Sequence, residues 1–195
     1  MIPSTGTSIS ARLRQAMHAP PLPAKLVLAI VSGCTYGLMA WLTERSEAFD
    51  VLLSRGKAAW HLIAIVFGAL VMAPYASASP RPLLRALAMC IASAAIYYSS
   101  VRFIVDGPFG YDSLAPFLLV GGAAALLVGG AVTLLSSQRF SALLVYWTLA
   151  AGAAGGATFD VDFGLASDLN LAVAHVAWQA LVCIALHFGF RQSRT

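Results

Sequence analysis

Six runs of mostly apolar residues, each close to the length that crosses a bilayer as a helix, constrain this chain more than anything else in it. A spanning helix needs roughly 20 predominantly apolar residues, and only a helix or a closed barrel satisfies the backbone in a medium that offers no hydrogen-bond partners. The runs cover residues 26–42, 58–75, 84–104, 114–135, 141–158 and 169–188. Polar or proline-bearing breaks punctuate them: Ser79-Pro80-Arg81-Pro82, Asp106-Gly107-Pro108 and Ser136-Ser137-Gln138-Arg139. Of the 195 residues, 59% are hydrophobic and 10% charged, whereas a soluble domain carries about 25% charged residues. A soluble globular domain and a disordered chain are both excluded on that balance.

The charges order the runs across a membrane. Lys and Arg near the spans stay on the cytoplasmic side. Arg12, Arg14, Lys25, Arg81, Arg85, Arg139, Arg191 and Arg194 fall on one side of a chain that crosses six times. The other side holds Arg45, Arg55, Lys57 and Arg102 with all eight acids: Glu44, Glu47, Asp50, Asp106, Asp112, Asp160, Asp162 and Asp168. The formal net charge of +4 is thus a surplus of eight inside set against a deficit of four outside. The first run follows basic residues as a signal peptide would, but it ends in Trp41-Leu42-Thr43-Glu44 with no small-x-small cleavage pattern and reads as a retained helix. The expectation is an all-α membrane protein: a six-transmembrane-helix bundle with N and C termini cytoplasmic, placed in the inner (plasma) membrane. A short tail, 1–24, precedes one six-helix domain, 25–190, and a tail, 191–195, follows it.

Small residues recur every four positions on three runs: Ala29, Gly33 and Gly37; Gly121, Ala125 and Gly129; Thr148, Gly152 and Gly156. In lipid, helices associate by close backbone approach, so these stripes predict tight packing inside the bundle or, alternatively, a seam for a second copy or another membrane protein. Gly152, Gly155 and Gly156 are where a helix interruption would be sought. The first connection, 43–57, mixes Phe49, Val51, Leu52 and Leu53 with charges and suits a short helix lying on the outer leaflet or a solvated loop. Trp41, Trp60, Tyr111, Tyr146 and Trp147 sit near span ends, as interfacial anchors do. Cys34, Cys90 and Cys183 lie in apolar stretches without CxxC spacing and read as small buried hydrophobes.

Candidate chemistry gathers on the outer side. His61, Tyr97, Tyr98, Ser99, Ser100, Arg102 and His175 occupy the outer parts of the spans, and Asp160, Asp162 and Asp168 lie close by in the sequence of the last connection. Asp168, His175, Gln179 and Cys183 are spaced by seven, four and four, which places them on one helix face. Such a polar stripe faces the bundle interior or a wet cavity, because hydrocarbon exposure is costly. Arg102, His175, Gln179 and Tyr98 are therefore the expected lining of an outward cavity for a small polar or anionic solute, in the manner of a transporter or permease. A second reading is non-catalytic: a membrane sensor, anchor or assembly partner whose polar residues satisfy one another. A third sets His61, His175, Asp160 and Asp162 around zinc, with an open position for water, as in a metal-dependent hydrolase.

The stretch Ala174-His175-Val176-Ala177-Trp178-Gln179-Ala180-Leu181 resembles the last-helix motif of the alkaline-ceramidase-like superfamily of membrane hydrolases, whose His-x-x-x-His pair binds zinc. Gln179 stands where that motif has its second His, and the seven spans and the other Ser, Asp and His motifs of the superfamily are not found here. No catalytic residue is assigned. GxGxxG, Walker A, GxSxG and Cys/His nucleophile patterns do not occur. Nucleic-acid binding is disfavoured because the basic residues are dispersed, with no basic run.

Overall fold

The computed structural model describes residues 20–46, 58–77, 79, 81–107, 113–136 and 138–192. Within them the chain forms six helical segments and no strand: α1 Leu22–Arg45, α2 beginning at Ala58–Phe67, α3 Pro82–Asp106, α4 Leu114–Leu135, α5 Ala142–Ala157 and α6 Ser167–Gln192. Five of these segments are long and apolar enough to cross a membrane, and α2 supplies a shorter apolar helix. The protein is an all-α helical-bundle membrane protein, as its apolar runs predict. At about 1.5 Å per residue, the 22 residues of α4 reach about 33 Å, enough for a hydrocarbon core of about 30 Å.

The helix starts follow local chemistry. Pro21 precedes α1, whose first turn contains Pro23, where a missing N–H costs nothing. The Pro-rich stretch therefore opens a helix, and α1 starts at Leu22, inside the segment assigned to the tail. Lys25 accordingly lies in the bundle, 7% exposed. Its Nζ donates to the Tyr75 hydroxyl at 3.0 Å and stands 4.3 Å from that ring's centroid. Ser141 caps α5 by accepting from the Leu144 N–H at 3.1 Å. Arg85 reaches the Leu135 carbonyl at 3.5 Å, a cation at the C-terminal end of α4.

The interruption falls in α2, not in α5. After Phe67 the chain takes a wide turn at Gly68–Met72 and a tight 3-10 turn at Ala73–Ala76. Pro74 has no N–H for the carbonyl four residues back, so a regular helix cannot continue through it. Gly68 lets α2 lie on α3: a Cβ there would stand 2.7 Å from Cys90 Cα. One turn earlier, the Ser93 hydroxyl donates to the Ala64 carbonyl at 2.6 Å and ties the same two helices. By contrast α5 runs unbroken through Gly152, Gly155 and Gly156.

Those glycines are packing surfaces. Gly121 of α4 sits against Gly152 and Gly156 of α5, and Gly33 of α1 against Val176 of α6, where an added Cβ would come within 2.5 Å of the Val176 Cα. Of the two alternatives the stripes allow, these glycines serve internal packing. Among the cysteines, only Cys183 is buried; Cys34 is exposed on the outer surface of α1. Tyr146 is exposed, while the adjacent Trp147 turns its indole N–H into the protein. The residues proposed for a short surface helix in the first connection lie largely outside the described residues, as do Tyr111 and the side chain of Trp60.

Antiparallel succession collects the charges at two ends. Lys25, Arg81, Arg85, Arg139 and Arg191 mark the starts of α1 and α3, the α4–α5 connection and the end of α6. Glu44, Arg45, Arg102, Asp106, Asp160, Asp162 and Asp168 mark the opposite end.

Candidate ligand cavity and its polar wall

α3 and α6 do not pack closely over the half of the bundle nearest the acidic end; a cavity of about 390 Å³ lies between them. Its walls come from every helix. Tyr36 contributes from α1, Ile63 and Phe67 from α2, Val101 and Ile104 from α3, Phe117 and Ala124 from α4, Gly156 from the end of α5, and Trp178 from α6. Almost all of this surface is hydrocarbon or aromatic ring. The polar side chains on it are few: Ser93, Ser100, Tyr36, Tyr97, His175 and Gln179.

His175, 5% exposed, is the best-fixed of them. Its Nδ1 stands 2.8 Å from the Leu171 carbonyl, which accepts only, so Nδ1 carries the proton. In this neutral tautomer Nε2 accepts, and the Tyr97 hydroxyl donates to it at 2.8 Å. Aromatic groups enclose the ring: Tyr36 stacks on it at 4.6 Å and 11°, and Phe159 meets it edge-on at 4.9 Å. Thr158 holds the end of α5 beside α6, its hydroxyl 2.6 Å from the Gly155 carbonyl and 3.4 Å from that of Ala174.

Gln179 lies one turn further along α6 and is 3% exposed. Its Oε1 is enclosed without a hydrogen-bond partner among the described residues. The neighbouring Trp178 directs its Nε1–H to the Gly121 carbonyl at 3.3 Å and so does not serve the amide. A buried polar group left unpaired costs about 1–3 kcal/mol, which makes this position one where a ligand group has something to gain. Of the stripe inferred on the last helix, His175, Gln179 and Cys183 are buried in the bundle, whereas Asp168 in the first turn is only partly buried.

The other expected site residues are placed elsewhere. Arg102 is ion-paired with Asp106 at 2.6 Å, both side chains about half exposed, and does not line the cavity. Tyr98 is exposed and stacks on His61, with centroids 5.6 Å apart. Its neighbour Tyr97 is the tyrosine that turns inward. Asp160 is exposed at the end of a 3-10 turn. Asp162 accepts from the Gly164 N–H at 2.8 Å and from the Asn170 amide at 3.0 Å. These two hydrogen bonds, the backbone one foremost, hold its carboxyl below the ordinary carboxylate value. Among the described residues, no three His, Cys, Asp or Glu side chains converge on a common point suited to a metal.

Tyr36, Phe159 and Trp178 were not among the expected site residues, although they surround the cavity's polar corner. Their signal in the sequence is faint, because an aromatic residue in an apolar run looks the same whether it faces lipid, a neighbouring helix or a cavity. No protein-family model, no curated protein and no solved structure matches the chain.

Proposed function

We propose that the protein handles a small lipophilic molecule within the bilayer, binding it in the cavity between α3 and α6 as a permease or carrier would. The observation that carries this reading is the cavity itself: about 390 Å³ of space with a predominantly apolar wall and a few convergent polar groups. Ligand sites have this character and a volume of about 300–1,000 Å³. An engineered cavity of about 150 Å³ accepts benzene, so this one suits a body of roughly 16 heavy atoms. A small anion gains less here, because the wall is hydrocarbon and Arg102 is engaged with Asp106 away from it. An uncompensated charge in such a space bears a large desolvation cost.

Energy transfer from tryptophan to N-phenyl-1-naphthylamine, a lipophilic fluorophore of suitable size, tests the reading. Trp178 lies in the wall as a built-in donor. In detergent micelles the transfer should saturate at one probe per protein above the micelle background. Ala124→Phe, which fills the cavity from α4, should remove the saturable part. Transfer that rises without saturation, and equally in both chains, would contradict the proposal.

A further inference from the structure

Gln179 is the group on the cavity wall whose needs are unmet. Its carboxamide is enclosed, its Oε1 has no hydrogen-bond partner among the described residues, and it borders the open space. The neighbouring polar groups are already committed. His175 uses both ring nitrogens, one on the Leu171 carbonyl and one on the Tyr97 hydroxyl. Trp178 uses its single donor on Gly121. The missing partner of Oε1 is therefore a hydrogen-bond donor, and a ligand in the cavity can bring one when the carboxamide, whose Oε1 is shielded where it stands, turns toward the open space that Gln179 borders.

On the reading that the cavity holds a lipophilic molecule, the geometry points to a ligand that ends in a hydroxyl group: a neutral long-chain or ring-bodied alcohol whose O–H donates to Gln179 Oε1 while its hydrocarbon fills the space towards Phe117 and Ala124. An alcohol oxygen also accepts, so it suits a carboxamide, which presents an acceptor and donors side by side. A carboxylate offers no proton to Oε1, and no Lys or Arg lines the cavity among the described residues to offset its charge. An ester or ketone accepts only, and a plain hydrocarbon leaves the amide as it was. Among oxygen-bearing ends that are uncharged in water at neutral pH, the hydroxyl both donates and accepts, whereas a carboxyl does so only after taking up a proton.

Three ten-carbon quenchers separate these ends: 10-bromodecan-1-ol, 1-bromodecane and 10-bromodecanoate. They are added to the full chain in detergent micelles, with Trp41, Trp60 and Trp147 replaced by Phe so that emission reports Trp178 alone. Each titration is normalised to the probe's partition into empty micelles. The expected result is half-quenching by the alcohol at about one-tenth the concentration needed for bromodecane, a ratio that corresponds to about 1.4 kcal/mol. The carboxylate should do no better than bromodecane. Gln179→Leu, and equally Gln179→Met, should bring the alcohol to the level of bromodecane and leave bromodecane unchanged. Equal quenching by alcohol and bromodecane in the chain with Gln179 would overturn the inference without any substitution there. So would strongest quenching by the carboxylate, or an alcohol preference that survives both variants. If none of the three quenches Trp178 above the micelle background, the cavity reading itself fails, and this inference with it.

Discussion

At the scale of single residues, two adjacent tyrosines on α3 take different roles. Tyr97 donates to His175 inside the bundle, whereas Tyr98 is exposed and lies on the ring of His61. Tyr97→Phe should lower stability by about 1 kcal/mol, since interhelical hydrogen bonds in a membrane bundle average about 0.6 and reach about 1.7 kcal/mol. Tyr98→Phe should leave it unchanged; reversible unfolding of the two variants in detergent makes the comparison. Which tyrosine faces inward was not legible, because a one-residue step rotates a helix by about 100° and the chain is apolar on both sides of this position. Arg102 was expected at the ligand, but its half-exposed pair with Asp106 should contribute no more than about 1 kcal/mol. Arg102→Ala should therefore leave saturable probe binding intact, as measured by energy transfer. Asp162 gives a pH effect of known sign. Its carboxyl is held low by the Gly164 N–H and the Asn170 amide, so the hydrogen-bonded turn is fully stabilised above the ordinary aspartate value and loses that contribution as pH falls through the lowered one. An NMR titration should show Asp162 ionising below a free aspartate, and Asn170→Ala should move it upward.

At the scale of elements, helix spans were legible and their irregularities were not. The fourth run, 114–135, coincides with α4, and the others fall within a few residues of their helices. A continuous apolar run is what lipid demands of a spanning helix, so length and hydropathy alone define it. The wide turn in α2 escaped that argument because it depends on Pro74 and on how closely Gly68 approaches α3, and neither property alters hydropathy. The small-residue stripes were legible as packing surfaces, and glycine substitutions should separate used from unused ones. Gly33→Ala would bring a Cβ within 2.5 Å of the Val176 Cα and force α1 from α6, costing about 1–3 kcal/mol. Gly130 has nothing within 4 Å of the equivalent position, so Gly130→Ala should be neutral or stabilising by up to about 1 kcal/mol. Thermal unfolding of the two single variants checks the contrast; equal losses at both sites would contradict this packing.

At the scale of the whole molecule, basic residues collect at one end of the bundle and acids at the other, and the cavity lies in the half nearest the acids. From that division the positive-inside rule predicts an orientation with the acidic end outward. A chain with its native cysteines removed should then react with an impermeant thiol reagent from outside through Asp162→Cys and not through Arg139→Cys. The cavity was the part of the molecule least visible in the sequence, because it arises where the backbones of α3 and α6 stand apart, bridged by the Tyr97–His175 hydrogen bond, and no run of residues encodes the gap between two helices 60 or more positions apart. Its central claim, a lipophilic ligand held inside the bundle, is met most directly by an alkyl diazirine of roughly 16 heavy atoms, sized as above, photolysed in the membrane and mapped by mass spectrometry. Adducts on Val101, Phe117 and Trp178 that N-phenyl-1-naphthylamine displaces are the predicted result; adducts confined to outward residues such as Leu83 and Leu134, unaffected by the competitor, would contradict it.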